Sequence, residues 1–224
     1  MELALNILKN TIEYQAWGLN ATSVSATMII LFTFTETWGL LKQNGRIWRE
    51  RSGCSVSTET NIFVFFFTII CGIFSLHIWS ISVLFNSLVT GVALVPLVWG
   101  LIRFKGLTPR AAILGAGLTL LVIIEILTPY WGFIYTVGAV GFWYAYGSQL
   151  WELWKEQKTG VLDIRLLSVL VISGIGWTTY SLTTKNLYFI ISQCGNFALT
   201  TSIMLLWLWF WKREHKLAYT RRAK

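Results

Sequence analysis

Charge is the scarcest commodity in this chain. Asp, Glu, Lys and Arg make up 12% of its 224 residues, about half the share in a soluble domain. From Thr60 to Ile102 there is none at all, and His77 is the only group there that titrates near neutral pH. Prolines number three and cysteines three. Cys54, Cys71 and Cys194 have neither the spacing of a disulfide framework nor that of a zinc module, so they read as structural. There is no His/Cys/Asp cluster, no serine elbow and no glycine-rich phosphate nest. No enzyme activity, cofactor or metal is expected.

Apolar residues are abundant: 55% of the chain, with a mean hydropathy of +0.61. A membrane span needs about 20 apolar residues, and charge islands with turn signals divide the chain into seven. The spans are expected at 21–42, 59–78, 82–104, 110–128, 130–149, 163–183 and 187–211. The fold class is therefore an all-α membrane protein with seven transmembrane helices. Before them, residues 3–17 place Leu5, Leu8 and Ile12 on one helical face. Asn6, Lys9, Asn10 and Glu13 share another, as in an interfacial helix.

Seven crossings put every Lys and Arg except Lys9 and Lys185 on one side of the membrane. This positive-inside bias predicts a cytosolic C-terminus and an outer or lumenal N-terminus. It also accounts for the net charge of +8 without a nucleic-acid partner. His77 and His215 then fall on opposite sides. Trp207, Trp209 and Trp211, followed by Lys212 and Arg213, read as a cytosolic aromatic and basic girdle. Asn20-Ala21-Thr22 fits a glycosylation sequon but abuts the first span, so it is discounted.

A polar segment occurs twice, at an offset of 106 residues that sets Gln43 on Gln149 and Trp48 on Trp154. Each copy reads Gln, then Trp, a base, Glu and finally Ser/Thr-Gly. The same offset sets Phe74-Ser75-Leu76 on Tyr180-Ser181-Leu182 and Asn86-Ser87 on Ser192-Gln193. It maps the first three spans onto the last three and leaves the fourth unmatched. Two three-helix units in the same orientation require such an odd helix, because three crossings leave the chain on the wrong side. The expected division is 1–20 interfacial segment, 21–106 first bundle, 107–129 linker helix, 130–211 second bundle and 212–224 basic tail.

Three helices, a Gln near the end of the first, a basic loop closing in Ser/Thr-Gly, and Trp177-Thr178-Thr179-Tyr180 in the second: this resembles the PQ-loop and SWEET transporter superfamily. The resemblance covers about 21–104 and 130–211. It implies 3+1+3 parallel bundles around a midplane cavity, with alternating access and a small polar solute, most readily a sugar. On this resemblance Trp177 stacks on the solute while Gln193 and Asn196 offer hydrogen bonds. Asn86 and Ser87 face them, and Tyr180 lines or caps the cavity. Gln43 and Gln149 would form the hinge and gate. The family's proline is replaced by Lys42 and Ser148, so compliance would fall to Gly39 and Gly147.

Glu36 and Glu125 are the carboxylates inside spans. An intramembrane acid is costly and is a functional candidate by default; both are candidates for proton coupling, which favours an amino-acid transporter of the PQ-loop type as the alternative. The rival class is a cargo receptor resembling the KDEL receptor, suggested by Arg46-Ile47-Trp48-Arg49-Glu50-Arg51-Ser52. Such a receptor needs cations in its outer cavity, where this chain has only Lys185. The expected partners are a small polar solute and the lipid bilayer, with assembly into a homo-oligomer left open.

Overall fold

A computed structural model of the chain describes residues 8–51, 58–157 and 164–222. Among them, a four-residue helical turn at Ile12–Gln15 precedes seven long helices. These are α1 Ala21–Glu50, α2 Thr58–His77, α3 Ile81–Lys105, α4 Pro109–Leu127, α5 Trp131–Glu156, α6 Ile164–Thr184 and α7 Leu187–Arg222. No strand occurs among the described residues. Five helices are long and apolar enough to cross a membrane: α1 to α4, and α7 as far as Arg213.

Local chemistry sets the helix starts. The Asn20 side chain accepts from the Ser23 amide at 3.0 Å, Ser80 from Val83 at 3.2 Å and Thr108 from Ala111 at 3.1 Å. Each satisfies an amide that the first helical turn leaves unpaired. Pro109 then occupies the first helical position of α4, where its missing N–H costs nothing. Asn20 is thus a helix cap.

The repeated polar segment is helix, where a loop was expected. α1 continues through Gln43 to Glu50, and α5 through Gln149 to Glu156. Hydropathy marks where a helix leaves lipid, whereas Lys, Gln, Arg, Leu and Glu sustain a helix in water. Gln43 therefore does not close its helix. α1 and α5 stop at Arg51 and Gln157, which adopt left-handed φ of 48° and 52°, and whose amides reach back to the Ile47 and Leu153 carbonyls. α7 likewise runs on through the basic tail to Arg222. The closing Ser52-Gly53 and Thr159-Gly160 pairs lie outside the described residues, as does Cys54.

The 106-residue offset recurs in the backbone. Arg51 and Gln157 are one pair; Trp79 (φ 55°) and Lys185 (φ 53°) are the other, and these are all the non-glycine residues with positive φ among those described. α2 and α6 begin at Thr58 and Ile164, α3 and α7 at Ile81 and Leu187. The packing repeats too. α1 and α2 both pack on α3, and α5 and α6 both pack on α7. The two triples meet through α1 against α6 and α2 against α5, contacts that exchange under the offset as a two-fold relation requires. α4 lies against α2 and touches α5 only lightly. Along α2–α5, a Cβ on Gly141 would stand 2.6 Å from the Phe63 ring, so only glycine admits that ring.

Candidate functional site

Of the residues singled out above, Tyr180 and Glu36 reach from one triple to the other, and Trp177 packs on the core that the triples share. Near the end of the molecule formed by the starts of α1, α3, α5 and α7, aromatic rings fill the gap. Phe74 of α2 stacks on Tyr135 of α5, with centroids 4.0 Å apart and planes at 17°. Phe189 of α7 packs edge-on against Tyr135, Trp177 and Tyr180, each at 6.1 Å. Phe74, Tyr135, Tyr180 and Phe189 are fully buried. This packed cluster closes that end, hereafter the charge-poor end. The Lys and Arg side chains of the α1, α3 and α5 termini gather at the other end.

Trp177 is half-buried in α6, its ring nearly perpendicular to Phe189 at the border of the cluster. Gln193 of α7 donates to the Tyr135 hydroxyl at 3.2 Å, and that hydroxyl donates to Ser192 at 3.1 Å. In the first triple, Asn86 of α3 donates to Thr33 of α1 at 2.9 Å. In each triple, then, polar residues one turn into the third helix bind the first helix. Such interhelical bonds are worth about 1 kcal/mol in a membrane. Ser87 Oγ and Asn196 Oδ1 are buried without a hydrogen-bond partner.

Glu36 of α1 crosses to the other triple. It accepts from Ser173 of α6 at 2.5 Å. Glu125 of α4 is fully buried, and neither carboxylate oxygen has a hydrogen-bond partner; its position near the end of α4 does not bring it to the surface. Cys71, which the offset sets on Trp177, is a free thiol packed against the same core.

Gly39 and Gln43 are half-buried in α1. The backbone of Ser148 and Gln149 belongs to α5, and their side chains lie outside those described. Gly147 borders an open groove of about 750 Å³ between α5 and α7, lined by Trp151, Trp154, Leu205 and Trp209. This groove faces outward, away from the interface between the triples. The Trp48 indole donates to the Pro96 carbonyl of α3 at 3.0 Å.

Tyr180 leads to Glu13, expected on the polar face of an interfacial helix. Its hydroxyl donates to Glu13 Oε1 at 2.7 Å and lies 2.8 Å from Ser80 Oγ. Ser80 also donates to Glu13 Oε1 at 2.9 Å. The amides of Ile81 and Ser82, at the start of α3, donate to Glu13 at 3.1 and 2.9 Å. Burial works to raise the Glu13 pKa. The hydrogen bonds from Tyr180 and the Ser82 amide outweigh it and leave the carboxyl below its ordinary value. Its partners lie far off in sequence, so no local signal marked it.

No protein-family model matches the chain, and no curated protein matches it in sequence. Among solved structures, one described as a eukaryotic SWEET transporter at 3.7 Å resolution is similar with a TM-score of 0.71. The match covers 86% of this chain and 97% of that one, at 10% identity. The chain thus has a SWEET-like fold. Together with its long apolar helices, this defines a multi-pass integral membrane protein.

Proposed function

We propose that this protein is a transporter that moves a small polar solute, a sugar as the leading class, by alternating access. All seven long helices cross the bilayer in this reading. α1–α3 and α5–α7 are the two rocking bundles, α4 is the linker, and the basic end faces the cytosol. The observation that carries it is the symmetric interface: among the described residues, two equivalent triples meet mainly through α1–α6 and α2–α5, and rings close one end. Parallel repeats of this kind place the solute at the repeat interface, near the midplane.

In this reading the half-exposed indole of Trp177 stacks on the solute. Gln193, which spends one amide proton on Tyr135, has its other proton and its carbonyl for the solute. Asn86, Ser87 and Asn196 supply further polar atoms, and Tyr180 caps the site at the charge-poor end. Compliance during rocking falls to Gly39 and Gly147, with Gln43, Ser148 and Gln149 at the basic end. The test is flux of labelled sugars and amino acids into liposomes carrying the protein. Trp177→Ala and Gln193→Ala are each expected to reduce saturable flux roughly three- to tenfold, as loss of a stacking or hydrogen-bonding contact implies. Unchanged flux in both variants refutes this placement.

Glu125 favours a second reading, proton-coupled transport of an amino acid. A buried carboxyl without a partner is costly when ionised, which suits a group that binds and releases a proton. Glu36, bridged to Ser173 between the triples, is the other candidate. Uptake driven by a pH gradient and abolished by Glu125→Gln or Glu36→Gln supports coupling; uptake indifferent to the gradient and to both variants excludes it.

A further inference from the structure

Residues before α1 have no counterpart at the 106-residue offset, because the positions matching them lie in α4. Yet this unrepeated strap touches both triples. The Ile12 amide donates to the Trp79 carbonyl in the α2–α3 turn at 2.9 Å. One residue on, the Glu13 carboxylate gathers four donors. Three come from the first triple: the Ser80 hydroxyl and the Ile81 and Ser82 amides. The fourth is the Tyr180 hydroxyl of α6, in the second triple. Tyr180 and Ser80 are buried, so solvent does not readily substitute for these bonds.

Among the described residues, no carboxylate accepts from the matching helix start in the second triple. There the Asn186 side chain accepts from the Phe189 amide at 3.2 Å, a cap within α7 itself. The asymmetry is therefore confined to one carboxylate, carried in by the strap. Its bonds to the start of α3 fix it to the first triple, where amides and helix dipole favour an anion. Its bond to Tyr180 then ties the second triple to the first beside the aromatic cluster.

We propose that Glu13 is the latch of the charge-poor end: it holds α6 to α3 through Tyr180, and opening at that end requires breaking the Glu13–Tyr180 bond. This rests on the alternating-access reading. The strap stays on α3 while Tyr180 departs with α6, so the latch biases the protein toward the state closed at the charge-poor end. Losing one hydrogen bond to a charged group shifts the closed-to-open ratio roughly tenfold.

The test measures distances between spin labels in the full-length protein, in lipid, after Cys54→Ala, Cys71→Ala and Cys194→Ala. Leu76→Cys with Lys185→Cys spans the triples at the charge-poor end, and Arg46→Cys with Gln157→Cys spans them at the basic end. Glu13→Gln keeps the side chain's size and Tyr180→Phe removes a single hydroxyl; thermal melting checks that both remain folded. Each is expected to raise the long-distance population of the charge-poor pair roughly tenfold, with the basic-end pair shortening. Charge-poor distances identical to the parent protein in both folded variants overturn the latch. A charge-poor pair that lengthens while the basic-end pair stays fixed supports the latch and overturns rocking. If either variant unfolds, Glu13→Asp, which keeps the charge but draws the carboxylate back from Tyr180 by one methylene, replaces it and is expected to lengthen the charge-poor distance; parent distances in it overturn the bond's role.

Discussion

Glu13 shows how much a single carboxylate's surroundings decide. Because its pKa is depressed, the bonds it accepts are at full strength above its ordinary value of 4.5 and are lost as pH falls through the lowered one. The charge-poor label distance is therefore expected to hold steady from pH 7 to about 5, and to lengthen only below 4.5. A transition near pH 6.5 would assign the effect to another group. Glu125 has the opposite character, being buried with no partner. Glu125→Gln removes the cost of a potential buried charge and is expected to leave thermal stability unchanged or raise it; a large loss of stability would reveal a partner for the carboxylate. Trp177, Gln193 and Asn86 were legible in the sequence because polar and aromatic groups stand out in an apolar span. Glu13 was not. A helical wheel over 3–17 set it beside Lys9 and Asn10, whereas a turn at Asn10 and Thr11 separates the helical Leu8-Lys9 from Ile12–Gln15, and Tyr180 lies 167 residues away.

At the scale of elements, the sequence located α2, α3 and α4 to within about a residue, since each is an apolar run bounded by a cap or a turn. α1 and α5 run about two turns past their expected ends, because hydropathy does not distinguish a polar stretch of helix from a loop. Those extra turns have a structural purpose. Trp48 lies on them and reaches Pro96, and Gly100 of α3 makes room for the indole. A Cβ at Gly100 would sit 2.9 Å from Trp48 Nε1 and 3.1 Å from Ile47. Gly100→Ala is therefore expected to displace the indole, weaken its bond to Pro96 and cost about 1–3 kcal/mol, read as a lower melting temperature in detergent. An unchanged melting temperature would mean that the α1–α3 contact relaxes freely.

For the molecule as a whole, the duplication was legible because the Gln and Trp of the polar segment survive in both halves. The relation between halves was not, since no local pattern says that α1 faces α6 and α2 faces α5. That pairing is what gives the proposed transport its geometry, with equivalent triples hinged about a shared interface and the latch on one side. The most direct measurement is solute flux into liposomes carrying the purified protein, with a panel of labelled sugars and amino acids. Saturable flux of at least one small polar solute, reduced in Trp177→Ala and Gln193→Ala, is the expected result. Flux equal to that of protein-free liposomes for every solute, from protein that is folded and inserted, would contradict the account.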